Sequence, residues 1–149
     1  MAEEQLVLFR LGNEEYAIPI TQVKEIIQFK EATKLPSTPV YMEGIISLRG
    51  KIIPVVDLAM RLELAAVKNA DKRALIIETA DREIGIVVDE VTEVIRLQDS
   101  AIELAPAGTG NEQNSYIRGI GKEGNRLLIL LDVDKLFSDE EMQEMKKVG

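Results

Sequence analysis

Apolar residues in this chain fall in short runs separated by turn-forming residues, the pattern of a strand-rich protein rather than a helical one. The run after Gln5 and the one after Glu15 flank Gly12-Asn13, which predicts a hairpin of strands Gln5–Leu11 and Glu15–Ile18. A short extended piece, Val23–Gln28, leads into a loop carrying Pro36 and Pro39. Ile45–Leu48 and Lys51–Val56 read as a second hairpin turning at Arg49-Gly50. Pro54 has no N–H to give to a ladder, so an edge or bulge is expected there. Asp57–Leu62 reads as a short helix with Asp57 as N-cap. The same sequence of elements is predicted again: strands Lys72–Thr79, Glu83–Val88, Val91–Leu97, Tyr116–Lys122 and Arg126–Leu131, then a helical turn at Asp132–Phe137. Asp89-Glu90 reads as a turn. Ser138 with Glu141 forms a capping box for a C-terminal helix, and 105–115 reads as a loop.

This recurrence is visible residue by residue. Shifted by 68 positions, Leu6–Ile27 lies over Ala74–Ile95 and aligns Glu15 with Glu83, Ile18 with Ile86, Val23 with Val91 and Glu25 with Glu93. Shifted by 75, Tyr41–Leu62 lies over Tyr116–Phe137 and aligns Gly44 with Gly119 and Asp57 with Asp132. Two blocks in the same order indicate an internal duplication. Halves this small would be marginal alone, so a shared core is expected. Short strands joined by tight turns point to two small barrels.

Composition narrows the chemistry. Hydrophobic residues make up 46% of the 149 and aromatics only 4%, so the core must be aliphatic. The absence of cysteine and histidine removes disulfides, thiolate chemistry, the commonest general base and the commonest transition-metal ligand. No cofactor or metal is expected. The carboxylates come in solvated-looking runs such as Glu14-Glu15, and Asp57 and Asp132 are better explained as caps than as ligands. A net charge of −8 argues against nucleic acid and anionic membrane as partners. No apolar stretch is long enough to span a bilayer and no signal peptide is apparent, so a cytoplasmic protein is expected.

Without catalytic groups, exposed apolar positions carry more weight, because binding modules work through apolar patches with a polar rim. Val23, Ile26 and Ile27 lie beside Lys24 and Glu25, so one face of this segment can be exposed. Arg49 sits at a hairpin tip, where a guanidinium can hold a carboxylate in bidentate fashion. From residue type alone it reads as a solvated turn residue more readily than as an anchor.

Gly44–Leu58, GIISLRGKIIPVVDL, resembles the G-x-x-x-L-R-G-x-x-x-P-x-x-D-L motif of CheW-like domains, with Ser47 where many members have Asn. Leu11–Ile27, Gly85–Val91 and Leu127–Phe137 extend the resemblance in collinear order over nearly the whole chain. It implies a mainly β fold: two SH3-like five-stranded β-barrel subdomains on a shared core, with short helices and a C-terminal helix. Within a single domain, 1–149, one subdomain would take about 15–66 plus C-terminal elements, the other about 67–137, with the helix at 138–149. The implied activity is scaffolding without catalysis, between the cytoplasmic tip of chemoreceptors and the regulatory domain of the histidine kinase CheA, by a chain that is monomeric when free. Carried over by motif position, Val23, Glu25, Ile26 and Arg49 would contact the receptor, and Gly44, Ile46 and Leu48 the kinase. Glu25 and Arg49 could also pair with each other. An adaptor of a surface-motility pathway would use the same surfaces; a ligand-binding barrel or an enzyme is the remote alternative.

Overall fold

The computed structural model describes residues 2–64, 71–79, 82–104 and 116–137. Their regular structure is almost entirely β. The first half supplies β1 (Glu3–Leu11), β2 (Glu14–Pro19), β3 (Val23–Gln28), β4 (Met42–Leu48) and β5 (Lys51–Asp57), followed by α1 (Leu58–Arg61). The second half supplies β6 (Arg73–Glu78), β7 (Glu83–Val88), β8 (Glu90–Gln98), β9 (Ile102–Leu104), β10 (Ile117–Glu123) and β11 (Arg126–Leu131). Asp57 caps α1 by accepting a hydrogen bond from the Met60 N–H at 3.0 Å. Asp132 does the same for the Asp134 N–H at 3.1 Å, at the head of a 3-10 turn over Val133–Lys135. The loop at 105–115 and the helix expected over 138–149 lie outside the described residues. Among the described residues no helix is long and apolar enough to cross a membrane.

The strands form two sheets, one of five strands in the order β3-β6-β7-β5-β4 and one of six in the order β8-β1-β2-β11-β10-β9. Each half lends its first hairpin to the other half's sheet: β6–β7 sits among β3, β4 and β5, while β1–β2 sits among β8 to β11. Sheet membership therefore does not follow the subdomain limits expected near residue 66. One sheet is continuous in sequence from Val23 to Val88, and the other joins the N-terminal hairpin to everything after Asp89.

The duplication persists in the pairing. In the β1–β8 ladder Leu6 faces Ile95, Leu8 faces Glu93 and Phe9 faces Val91, with an irregularity between Leu8 and Phe9. In the β3–β6 ladder the counterparts 68 positions away pair identically: Ala74 with Ile27, Ile76 with Glu25 and Ile77 with Val23, with the irregularity at the same place. The parallel pairs agree as well, Leu130 opposite Ala17 and Val55 opposite Gly85.

Exchange of hairpins explains the unbroken apolar runs. Strands β1 and β6 have core on both sides, so neither can alternate with polar residues. From β1, Leu6 and Leu8 enter a cluster with Ala17, Leu97, Leu128 and Leu130 inside the six-stranded sheet. Val7, Phe9 and Leu11 point the other way, into a cluster that also takes Leu75, Ile77, Ile84 and Ile86 from the second half, together with Leu58 and Phe137. This larger cluster is the core that the halves share.

Pro54 corrects one expectation. Its strand, β5, lies inside the sheet between β7 and β4 rather than at an edge. Pairing with β7 begins only at Val55, however, so at Pro54 the strand is laddered on one side alone, opposite Ile45. The missing N–H thus falls where a second partner is absent.

Candidate functional site

The two edges of the five-stranded sheet, β3 and β4, approach each other, and most of the sequence-predicted contact residues lie along that approach. An isolated bridge joins Thr33 to Ile45, with each N–H donating to the other's carbonyl at 2.9 Å. Gly44 makes this contact possible. A Cβ at Gly44 would stand 2.1 Å from the Thr33 carbonyl oxygen, and the backbone there has φ +143°. Gly119 repeats the device, with a Cβ position 2.4 Å from the Glu103 oxygen.

Further along the same approach the β4–β5 tip is tied to β3. Arg49 donates from Nη1 to Glu25 Oε1 at 2.5 Å and from Nη2 to Oε2 at 2.8 Å, a bidentate pair. The Arg49 side chain is 73% exposed and that of Glu25 25%, so the pair lies open to solvent on one side. The hydrogen bond from Glu25 raises the guanidinium's pKa, so Arg49 stays charged at any working pH. Exposed pairs of this kind add little to folding stability.

The remaining predicted residues occupy distinct environments. Val23 is half-buried against the shared core, opposite Ile77. Ile26 is 43% exposed. Gly44 is buried, while Ile46 and Leu48 are half-buried and help line a cleft of about 540 Å³ closed on its other side by Ile27 to Thr33. Leu48 is also a wall of a second recess of about 320 Å³, whose other walls include Lys24, Glu25, Arg49 and Lys51. The receptor-side and kinase-side sets therefore share two neighbouring strands and one hairpin.

A charged cluster beside Glu25 was not foreseen. Lys24 lies 3.0 Å from Glu78 and 3.7 Å from Glu83, and Lys51 lies 3.2 Å from Glu83. The hydrogen bond from Lys51, ahead of the effect of Lys24, holds the Glu83 carboxyl below the usual range. These groups come from β3, β5, β6 and β7, and only strand pairing brings them together. The repeat contained one signal: Glu83 is the counterpart of Glu15, and Lys51 that of Arg126. In the other sheet Arg126 likewise meets Glu15 at 3.4 Å and Glu93 at 3.2 Å, and also pairs with Glu123.

The Asp89-Glu90 turn also holds more than its residue types suggested. Asp89 is buried, and its carboxylate accepts the Gly12 N–H at 2.7 Å, fastening the β1–β2 turn to the junction of β7 and β8.

Comparison with known proteins agrees with this geometry. The model of the CheW-like domain matches residues 5–141. "Chemotaxis protein CheW" of Bacillus subtilis is 38% identical over 141 residues, covering 94% of this chain and 90% of that one. Its namesake in Klebsiella aerogenes is 37% identical over 147 residues, covering 98% and 89%. The crystal structure of the scaffolding protein TtCheW from Thermoanaerobacter tengcongensis matches with a TM-score of 0.86 at 35% identity, over 94% of this chain and 96% of that one. The paired sheets with exchanged hairpins, the L-R-G tip and the match across nearly the full length establish that this chain belongs to the CheW-like domain family.

Proposed function

We propose that the protein is a non-catalytic adaptor that couples chemoreceptors to the histidine kinase CheA, holding the two at a geometry in which receptor state biases the kinase. Relatives named chemotaxis proteins and a structural neighbour named a scaffolding protein support a role in chemotaxis by assembly. In this reading Val23, Glu25, Ile26 and Arg49 face the receptor tip, and Gly44, Ile46 and Leu48 lie on the side of the kinase's regulatory domain. The protein works in the cytoplasm, is monomeric when free, and reaches the membrane through its partners.

The observation that carries the reading is the backbone at Arg49. Its φ is +52°, in the left-handed region where glycine or asparagine sits with least strain. Its counterpart 75 positions on is Gly124, with φ +59°. The fold thus accepts glycine at this tip, yet here it carries an arginine whose ion pair contributes little to stability. Backbone strain kept at an exposed, charged tip points to recognition.

Calorimetric titration of the purified chain with the CheA regulatory domain of the same cell, at moderate salt and with a receptor-tip fragment as third component, tests this directly. Saturable one-to-one binding is expected. Absence of binding to every kinase of that type in the organism would sink the reading.

A further inference from the structure

Between the β6–β7 turn and the start of β5 lies a recess of about 340 Å³, lined by Lys24, Lys51, Ile52, Glu78, Arg82 and Glu83 among others. Its charges do not balance. Lys24 and Lys51 are matched by Glu78 and Glu83 at 3.0 to 3.7 Å. Arg82 is left over: its Nε and Nη1 are buried and have no hydrogen-bond partner among the described residues. Guanidinium donors withdrawn from water without an acceptor are costly, and burial pushes the pKa of Arg82 down, although an arginine remains charged. The fold does not demand this residue. Its counterpart 68 positions earlier is Glu14, an exposed acid at the corresponding place in the β1–β2 hairpin.

We propose that this recess is a carboxylate-binding site: an aspartate or glutamate side chain of the docking protein enters it and accepts hydrogen bonds from Arg82, with its methylene stem against Ile52. Ile52 is 55% exposed and available for that contact. A single carboxylate suits the site better than a phosphate, because Glu78 and Glu83 already line it and would repel a dianion. The recess borders the Glu25–Arg49 pair through Lys24 and Lys51, so the inference rests on the docking reading given above and adds the chemistry of the partner's contact.

Arg82→Gln and Arg82→Lys variants of the full chain, titrated with the receptor-tip fragment and with the kinase regulatory domain, provide the test, with the melting temperature of each free variant measured alongside. Arg82→Gln is expected to lose at least about tenfold in affinity for one of the two partners while melting no lower than the parent, with partial recovery in Arg82→Lys. Parental affinity for both partners, or a loss that appears only with a lowered melting temperature, would overturn the pocket and leave the docking reading standing. Should the parent bind neither partner, the docking reading falls. The Arg82 Nε–H resonance is then followed during titration with a glutamate-containing tetrapeptide and, separately, with inorganic phosphate. A saturable shift with the peptide supports the pocket; no shift, or a shift with phosphate alone, refutes it.

Discussion

Arg49 combines two properties that separate binding from stability: a left-handed backbone and a side chain held by one exposed carboxylate. Arg49→Glu places two acids together at the β4–β5 tip and is expected to leave the melting temperature within about 2 °C of the parent, since exposed pairs contribute little. Affinity for the receptor tip should fall by roughly tenfold or more, as for other charge-assisted bidentate contacts. Arg49→Gly relieves the backbone and should melt no lower than the parent, yet also bind weakly. If both variants bind normally, Arg49 is not in the interface, although family membership would stand. Glu25→Ala and Arg49→Ala should be non-additive in binding, because each removes the partner that orients the other.

At the level of elements, the meeting of β3 with β4 depends on Gly44. Adding one methyl there collides with the Thr33 carbonyl at 2.1 Å and forces a side chain onto a φ of +143°. Gly44→Ala should destabilise the fold by about 2 kcal/mol or more, read by urea denaturation, and Gly119→Ala should act similarly against Glu103. A loss of kinase binding in Gly44→Ala would then report a disturbed cleft beside Ile46 and Leu48 rather than a lost contact. Much of this level was legible in the sequence. The bounds of β3, β7 and β11 coincide with the apolar runs, and both capping aspartates act as their position between strand and helix requires. The 3-10 turns at Ile20–Gln22 and Asp99–Ala101 and the three-residue β9 were not legible, because such short pieces have no periodicity to detect. In the site, Glu25 with Arg49 followed from motif position. The Lys24–Glu78–Glu83–Lys51 cluster and the Asp89–Gly12 contact did not, since sequence separation says nothing about which strands become neighbours.

For the whole molecule, exchange of hairpins makes the two halves mutually dependent. A chain ending after Leu64 retains β3, β4 and β5 but lacks β6 and β7, the pair that joins them into a sheet. It should show no cooperative melting transition. The complement beginning at Ala65 lacks β1 and β2 and should fail in the same way. Mixed together, the fragments contain every strand and the whole shared core, so near-ultraviolet dichroism and a single melting transition should return. A stable, cooperatively melting first fragment on its own would refute this dependence.

The same arrangement sets an order on synthesis. The five-stranded sheet has all its strands once Val88 has left the ribosome, whereas the N-terminal hairpin must wait for Leu131 before its parallel neighbour exists. The first strands made are thus the last to be housed, and for most of translation Leu6, Leu8 and Phe9 have no completed core to enter. A nascent chain that carries an unpaired apolar hairpin for so long is a natural client for a chaperone at the exit tunnel.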